Sequence, residues 1–148
     1  MQQCESDHSG EVVIPQTVAY EGIIYSVTAI GDQAFFCCTS LTAITCPEGV
    51  ERIGIYAFRK CTSLVTISLP STMRVVDDYA FRYCESLEHL SLSGGLTRIG
   101  DYAFSRCSSL KSVVLPSGVL HYGHAVFYDC ASLKEVIIPD AIWSFRQI

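Results

Sequence analysis

Cysteine is the first residue type whose number could signal chemistry, with eight in 148 residues. Three kinds of chemistry need testing against that count: a disulfide framework, a zinc site and a reactive thiol. The spacing decides among them. Cys38, Cys61, Cys84, Cys107 and Cys130 recur at a constant step of 23, and Cys46 falls where Leu69, Leu92 and Leu115 fall in later units. Thiols repeating in register with aliphatic residues are small buried side chains, expected to be reduced and inert. Neighbouring rungs would be close enough to bridge, but parallel side chains do not give the near-perpendicular dihedral a disulfide requires. Cys37 is different, since its equivalents are Lys60, Tyr83, Arg106 and Asp129 and it must face solvent. Cys37 and Cys4 are therefore the two thiols open to reaction or to pairing between chains.

No other constellation fares better. Cys37-Cys38 lacks a C-x-x-C partner, and His121-x-x-His124 lacks a third ligand nearby in sequence, so no metal is expected. His8, His89, His121 and His124 are expected at the surface. No nucleophile elbow, phosphate loop, H-E-x-x-H or dinucleotide fingerprint occurs. Gly31, Gly54, Gly100 and Gly123 hold one repeat position as turn glycines, with Asp77 in the fifth place. Tyr56, Tyr79 and Tyr102 could offer a stacking platform for sugars or bases, and Asp32, Asp78 and Asp101 beside them could take a cation. Their regular place beside an Ala-Phe pair points instead to half-buried packing and solvated charge. The expectation is a chain with no catalytic residue and no cofactor.

The elements that position these residues follow from the same period. Phe35, Phe58, Phe81, Phe104 and Phe127 step by 23, as do the Ser-Leu pairs ending in Leu41, Leu64, Leu87, Leu110 and Leu133. Nothing is inserted between Ile30 and Pro139. The shared template is Ile-Gly-x-x-Ala-Phe-x-x-Cys-x-Ser-Leu-x-x-φ-x-φ-Pro-x-x-φ-x-x, with φ apolar. Its second half is the L-x-x-L-x-L signature of leucine-rich repeats. Triplets such as Leu41/Ile44/Cys46 and Leu110/Val113/Leu115 end on two residues spaced by two, the period of a strand with one buried face. The Ile-Gly-x-x-Ala-Phe segment predicts a single helical or 3-10 turn on the opposite side. No unit can bury its own apolar face, so the units must stack, bringing identical side chains into ladders.

The predicted fold is thus an α/β solenoid, a right-handed leucine-rich-repeat superhelix with short parallel strands on one face and short helical or 3-10 turns on the other. Its parts are a loose polar segment over 1–10, an N-terminal β cap over 11–29, five repeats over 30–139 and a truncated sixth repeat over 140–148. The cap contains a strand-Pro element, Glu11 to Pro15, and a hairpin turning at Glu21-Gly22. The sixth turn begins Ala141-Ile142-Trp143-Ser144-Phe145. An open last coil implies a longer parent chain, self-association through that uncapped edge, or an aromatic lid from Trp143 and Phe145.

Composition bounds the partners. Hydrophobic residues make up 49% and charged residues 17%, enough to build a core and too apolar for disorder. The net charge is −5, and no Lys/Arg cluster occurs along the chain, so no nucleic-acid partner is expected. No apolar run reaches the roughly 18 residues of a membrane helix. The first residues, Met1 to Asp7, have neither a basic nor an apolar signal region, which leaves an intracellular protein or a removed leader.

The unit Ile99-Gly100-Asp101-Tyr102-Ala103-Phe104-Ser105-Arg106-Cys107-Ser108-Ser109-Leu110 through Leu115-Pro116 resembles the BspA-like branch of leucine-rich repeats, and the likeness extends over about 11–148. The fifth repeat departs from the motif, with Tyr122 for Ile, Ala125 for Tyr and Val126 for Ala. The resemblance implies a secreted or cell-surface protein of bacteria or protists and a role in adhesion to host matrix or partner proteins. It assigns no catalytic residue. Ladders serve the fold, so positions that vary between units are free for recognition. The outward strand positions, above all His89, Ser91, Ser112, Val114, Glu135 and Ile137, form the expected protein-binding face. A repeat spacer without a ligand and, on cysteine count alone, a thiol-dependent enzyme or redox protein are the competing readings.

Overall fold

Alternating apolar positions and regular Pro or Gly stops cut this chain into short strands joined by turns, too short to stand alone and identical enough to pile up. The computed structural model describes residues 8–92 and 94–137. They wind as a parallel β-solenoid of about five turns. The strands in chain order are β1 (Gly10–Val13), β2 (Thr17–Tyr20), β3 (Ile23–Ser26), β4 (Ala29–Ile30), β5 (Leu41–Thr45), β6 (Arg52–Ile53), β7 (Thr66–Ser68), β8 (Val75–Val76), β9 (His89–Ser91), β10 (Arg98–Ile99), β11 (Ser112–Val114), β12 (His121–Tyr122) and β13 (Glu135–Ile137).

One side of the stack carries two three-stranded parallel sheets, β1-β5-β7 and β9-β11-β13. Register follows the period: Ile44 faces Ile67, and Ser112 faces both His89 and Glu135. A second, five-stranded parallel sheet, β4-β6-β8-β10-β12, uses only two residues from each coil. The sequence did not announce it, because two residues are too few to show a period. β2 and β3 make a separate antiparallel hairpin closed by Tyr20 and Ile23. Its turn, Glu21 at φ 49° and Gly22 at φ 79°, has the two left-handed residues of a type I′ turn.

The core is the set of ladders. Phe58, Phe81, Phe104, Leu64, Leu87 and Leu110 are fully buried, while Phe127 and Leu133 of the last described coil are only partly so. Successive Phe rings from 35 to 104 lie 5.0–5.2 Å apart and within 4° of parallel. His8 closes the first rung with its ring 5.1 Å from Phe35.

The helical or 3-10 turn is corrected: the described residues contain no helix. From Gln33 to Cys38 the N–H groups alternate in direction. Ala34, Phe36 and Cys38 donate to the carbonyl three residues back, whereas Gln33, Phe35 and Cys37 donate to Ile55, Ala57 and Arg59 of the next coil. The next two coils repeat this alternation in full, and the coil of Tyr102 keeps its three coil-to-coil bonds, from Tyr102, Phe104 and Arg106 to His124, Val126 and Tyr128. A helix would keep every such bond within one coil; here half of them tie coil to coil, which satisfies buried donors that stacking would otherwise strand. Left-handed backbone makes the alternation possible. Gln33, Cys37, Tyr56, Lys60, Tyr79, Tyr83, Tyr102, Arg106, Ala125 and Asp129 all sit at φ between 51° and 65°. The expectations placed on residues 1–7 and 138–148, including Cys4, Trp143 and Phe145, lie outside the described residues.

Candidate binding face

The sheet β9-β11-β13 gathers all six side chains expected to form the binding face, two from each strand. Leu90 and Val113 between them point into the core, so their neighbours must point out. His89, Ser91, Glu135 and Ile137 are exposed, and Ser112 and Val114 are half-buried. Ser112 lies between His89 and Glu135 in the register, and Val114 lies between Ser91 and Ile137. The face thus has a polar row and, beside it, a row running hydroxyl, isopropyl, sec-butyl. His89 Nδ1 is 3.0 Å from Ser112 Oγ. At the rim Lys111 Nζ donates to Glu88 Oε2 at 2.8 Å, and that bond holds the Glu88 carboxyl below its usual range.

A His–Ser contact invites comparison with a hydrolase pair, which needs a third group to orient the imidazole and donors for an oxyanion. His89 has Ser112 as its one hydrogen-bonding side chain among the described residues, on an exposed strand. Equivalent outward positions on β5 and β7 carry Ala43, Thr45, Thr66 and Ser68. The chemistry available along this side is hydrogen bonding and shape, graded from small hydroxyls toward larger apolar groups.

The thiol ladder does more than fill space. Cys61, Cys84, Cys107 and Cys130 each donate from Sγ to the carbonyl of the Phe in the preceding coil, at 3.1, 3.2, 3.3 and 3.1 Å. The carbonyls of Phe35, Phe58 and Phe81 already accept the Cys N–H of their own coil, so both lone pairs of each are used. Reading these residues as plain small hydrophobes misses the bond, and only the fixed Phe-to-Cys offset hinted at it. Burial pushes the Cys46 thiol up to about 11 and the Cys61 thiol up to about 12, and Cys84 also rises. Cys107 rises as well, through its contact with Cys130 and then through burial. One rung corrects the expectation of reduced thiols throughout: Cys38 is disulfide-bonded. Cys37 is free and half-buried.

A charged ledge runs beside the five-stranded sheet. Asp77, only 7% exposed, stands between Arg52 Nε at 2.6 Å and Arg98 Nη1 at 2.5 Å. The acidic residues expected to be solvated have structural work instead. Asp32, Asp78 and Asp101 accept the N–H of Ile55, Asp101 and His124 in the following coil at 2.7–2.9 Å. A Cβ at Gly54 or Gly100 would collide with that carboxylate and with the backbone beneath, which explains the glycine. Among the described residues no group of three or more His, Cys, Asp or Glu could hold a metal ion.

The turn side is not solely packing. Tyr56, Tyr79 and Tyr102 stack with centroids 5.2 and 5.4 Å apart. Arg59 lies over Tyr56 at 5.2 Å and Arg82 over Tyr79 at 5.5 Å. The coil therefore collects basic side chains that are never clustered along the chain.

Stacked 23-residue coils with Leu, Phe and Cys ladders define a leucine-rich repeat protein. The "BspA type Leucine rich repeat region" profile matches residues 28–147 in six copies, and the chain belongs to that family. A leucine rich repeat protein of T. pallidum, TpLRR, is 38% identical with a TM-score of 0.80, over 87% of this chain and 58% of that one. A leucine-rich repeat protein of Bacteroides ovatus is 35% identical with a TM-score of 0.82, over 88% of this chain and 34% of that one. The chain thus spans less than two thirds of the first relative and about a third of the second. A leucine rich cell surface protein of Faecalibacterium prausnitzii, 23% identical over 91% of this chain and 48% of that one, shares the fold with a TM-score of 0.60. No curated protein matches the sequence. No helix among the described residues is long and apolar enough to cross a membrane.

Proposed function

We propose that this chain is a non-enzymatic binding module of a cell-surface or secreted protein, and that it contacts a protein, of the host matrix or of a cell surface, through the β9-β11-β13 face. The observation that carries this is the pattern of variation on that sheet. Inward positions repeat almost without change, while the six outward ones change type from strand to strand within one continuous patch. Ile137 lies beside Val114 in the register, and an apolar pair next to the hydrogen-bonding His89, Ser112 and Glu135 suits a protein partner. The surface role rests on the family and on the F. prausnitzii neighbour, described as a cell surface protein.

The test is binding of the chain to a panel of immobilised extracellular-matrix proteins, with the face reversed by Ser112→Arg and Ile137→Asp. Affinity for the bound partner should fall at least about tenfold, a loss of roughly 1.4 kcal/mol, while Tm stays put. Unchanged affinity in the double variant rejects the face. Absence of any bound partner supports the spacer reading instead.

A further inference from the structure

We propose that the turn side of the coil, opposite the strand face, is a second binding surface for a linear polysaccharide carrying sulfate or carboxylate groups. The residues are Arg59, Lys60, Arg82 and Arg106, with Tyr79 and Tyr83 between them. Arg59 and Arg82 hold the same repeat position in adjacent coils, one residue after the Phe, and Lys60 and Arg106 hold the next position two coils apart. Four of the ten Lys and Arg residues thus meet on one side of a chain of net charge −5.

The company these charges keep sets them apart. Several charges in one coil are answered by their opposite in the next: Asp32 with Arg52, Asp77 with Arg52 and Arg98, Asp78 with Arg98, Glu88 with Lys111. Among the described residues Arg74 and Lys134 have no such partner. Arg74 has no like charge at its repeat position in adjacent coils, however, and Lys134 has only Lys111, which Glu88 holds. Arg59, Lys60 and Arg82 have no carboxylate partner among the described residues, and Arg106 has a loose one, Asp129 at 3.6 Å. Like charges on neighbouring strands repel. Here the cost is met by aromatic rings: Arg82 lies 5.0 Å from the Tyr83 centroid and 5.5 Å from Tyr79, and Arg106 lies 5.3 Å from Tyr83. Stacking on rings fixes the guanidinium planes without neutralising them. Nε of Arg59 and of Arg82 is buried and lacks a hydrogen-bond partner among the described residues, so any contact with a ligand falls to the Nη end of each guanidinium.

Two features select the ligand class. A planar fork pairs bidentately with sulfate or carboxylate, and the coil spacing repeats it along a line, which suits a chain of anions over a single one. Nucleic acid is disfavoured because the tyrosine faces are taken. Tyr79 and Tyr102 stack on each other within 2° of parallel, and Arg82 covers Tyr79, which leaves no free face for a base.

The experiment titrates the whole chain with heparin as the sulfated probe and hyaluronan as the carboxylated one. Neutral dextran and a single-stranded DNA of matched charge serve as competitors. Heparin, hyaluronan or both should bind, dextran should not, and DNA should compete poorly. Arg59→Gln with Arg82→Gln should weaken binding at least tenfold and flatten its salt dependence by about two charges. Arg59→Lys with Arg82→Lys keeps charge and stem and should fall between wild type and the Gln variant. Arg52→Gln, on the ledge, should leave binding unchanged. Three results overturn the proposal: no binding of either glycan, equal binding by the Gln double variant at unchanged Tm, or DNA competing as well as heparin.

Discussion

The turn side and the strand side of each coil are cut from the same 23 residues, yet they are held together differently. On the turn side three N–H groups of each inner coil run along the stack, and the Phe rings, the thiols and the Asp carboxylates add contacts in the same direction. On the strand side the ladder consists of three- to five-residue strands and is interrupted between β7 and β9. The side with redundant ties repeats its sequence most strictly. The other side needs only its inward residues, which leaves every second strand position free to change. Recognition can therefore be altered on this scaffold without renegotiating the core.

The largest test of that contrast is a pair of truncations. Phe81 is fully buried between two parallel rings, and Phe81→Ala should cost about 3–5 kcal/mol in chemical denaturation. Ser91→Ala, outward on β9, should stay within about 0.5 kcal/mol. A Ser91 effect comparable to that of Phe81 would break the division between the two sides. Next comes Asp77→Ala, which leaves Arg52 and Arg98 without their shared counter-ion. The arginine side chains are 43% exposed and water can relieve them, so the loss should be about 1–3 kcal/mol. A variant as stable as wild type would show that the ledge is ornamental.

How far these differences were legible beforehand depended on whether they lived in side-chain types. The period placed Ile44 against Ile67 and Ser112 against His89 and Glu135, because a constant step leaves one register. It also placed the six face residues on one sheet. It could not disclose the turn. Ala-Phe spacing imitates one helical turn, and the feature that forbids a helix, left-handed backbone at Tyr56 and Lys60, belongs to residues that carry no signal for it. The Cys-to-Phe bond was hidden because a thiol that donates and a thiol that merely fills space are the same letter. The basic row was hidden because Arg59 and Arg82 are distant in sequence and adjacent only once the coil closes.

The thiols give the next test, of intermediate size. A buried thiol whose folded value is raised favours folding only while it stays neutral in both states. Below its ordinary value of 9.0 nothing changes; above it the unfolded chain ionises and the folded one does not. Stability should thus decline as pH climbs from about 9 toward the folded values of about 11 for Cys46 and about 12 for Cys61. The slope should be about 1.4 kcal/mol per pH unit for each thiol in that window. Thermal melts from pH 8 to 10.5 check this, and a flat Tm would remove the thiols from the core. A native thiol titration at pH 8 should report Cys37 ahead of Cys61, Cys84 and Cys107, which stay silent until the chain unfolds.

The smallest effect bears on why the turn side tolerates strain at all. Gln33 is exposed and holds φ 59°, a conformation that costs most side chains about 1 kcal/mol and glycine almost nothing. Gln33→Gly should therefore stabilise slightly, by up to about 0.5 kcal/mol once the added freedom of the unfolded chain is counted. The same change at Gly-free Tyr79, also left-handed, should destabilise, because the ring stacked on Tyr56 and Tyr102 is lost with the strain. Opposite signs at two positions of equal φ would show that the side chains at these turns, and not the backbone geometry, decide which residue sits there. Equal signs would mean that the Tyr stack contributes less than the strain it imposes.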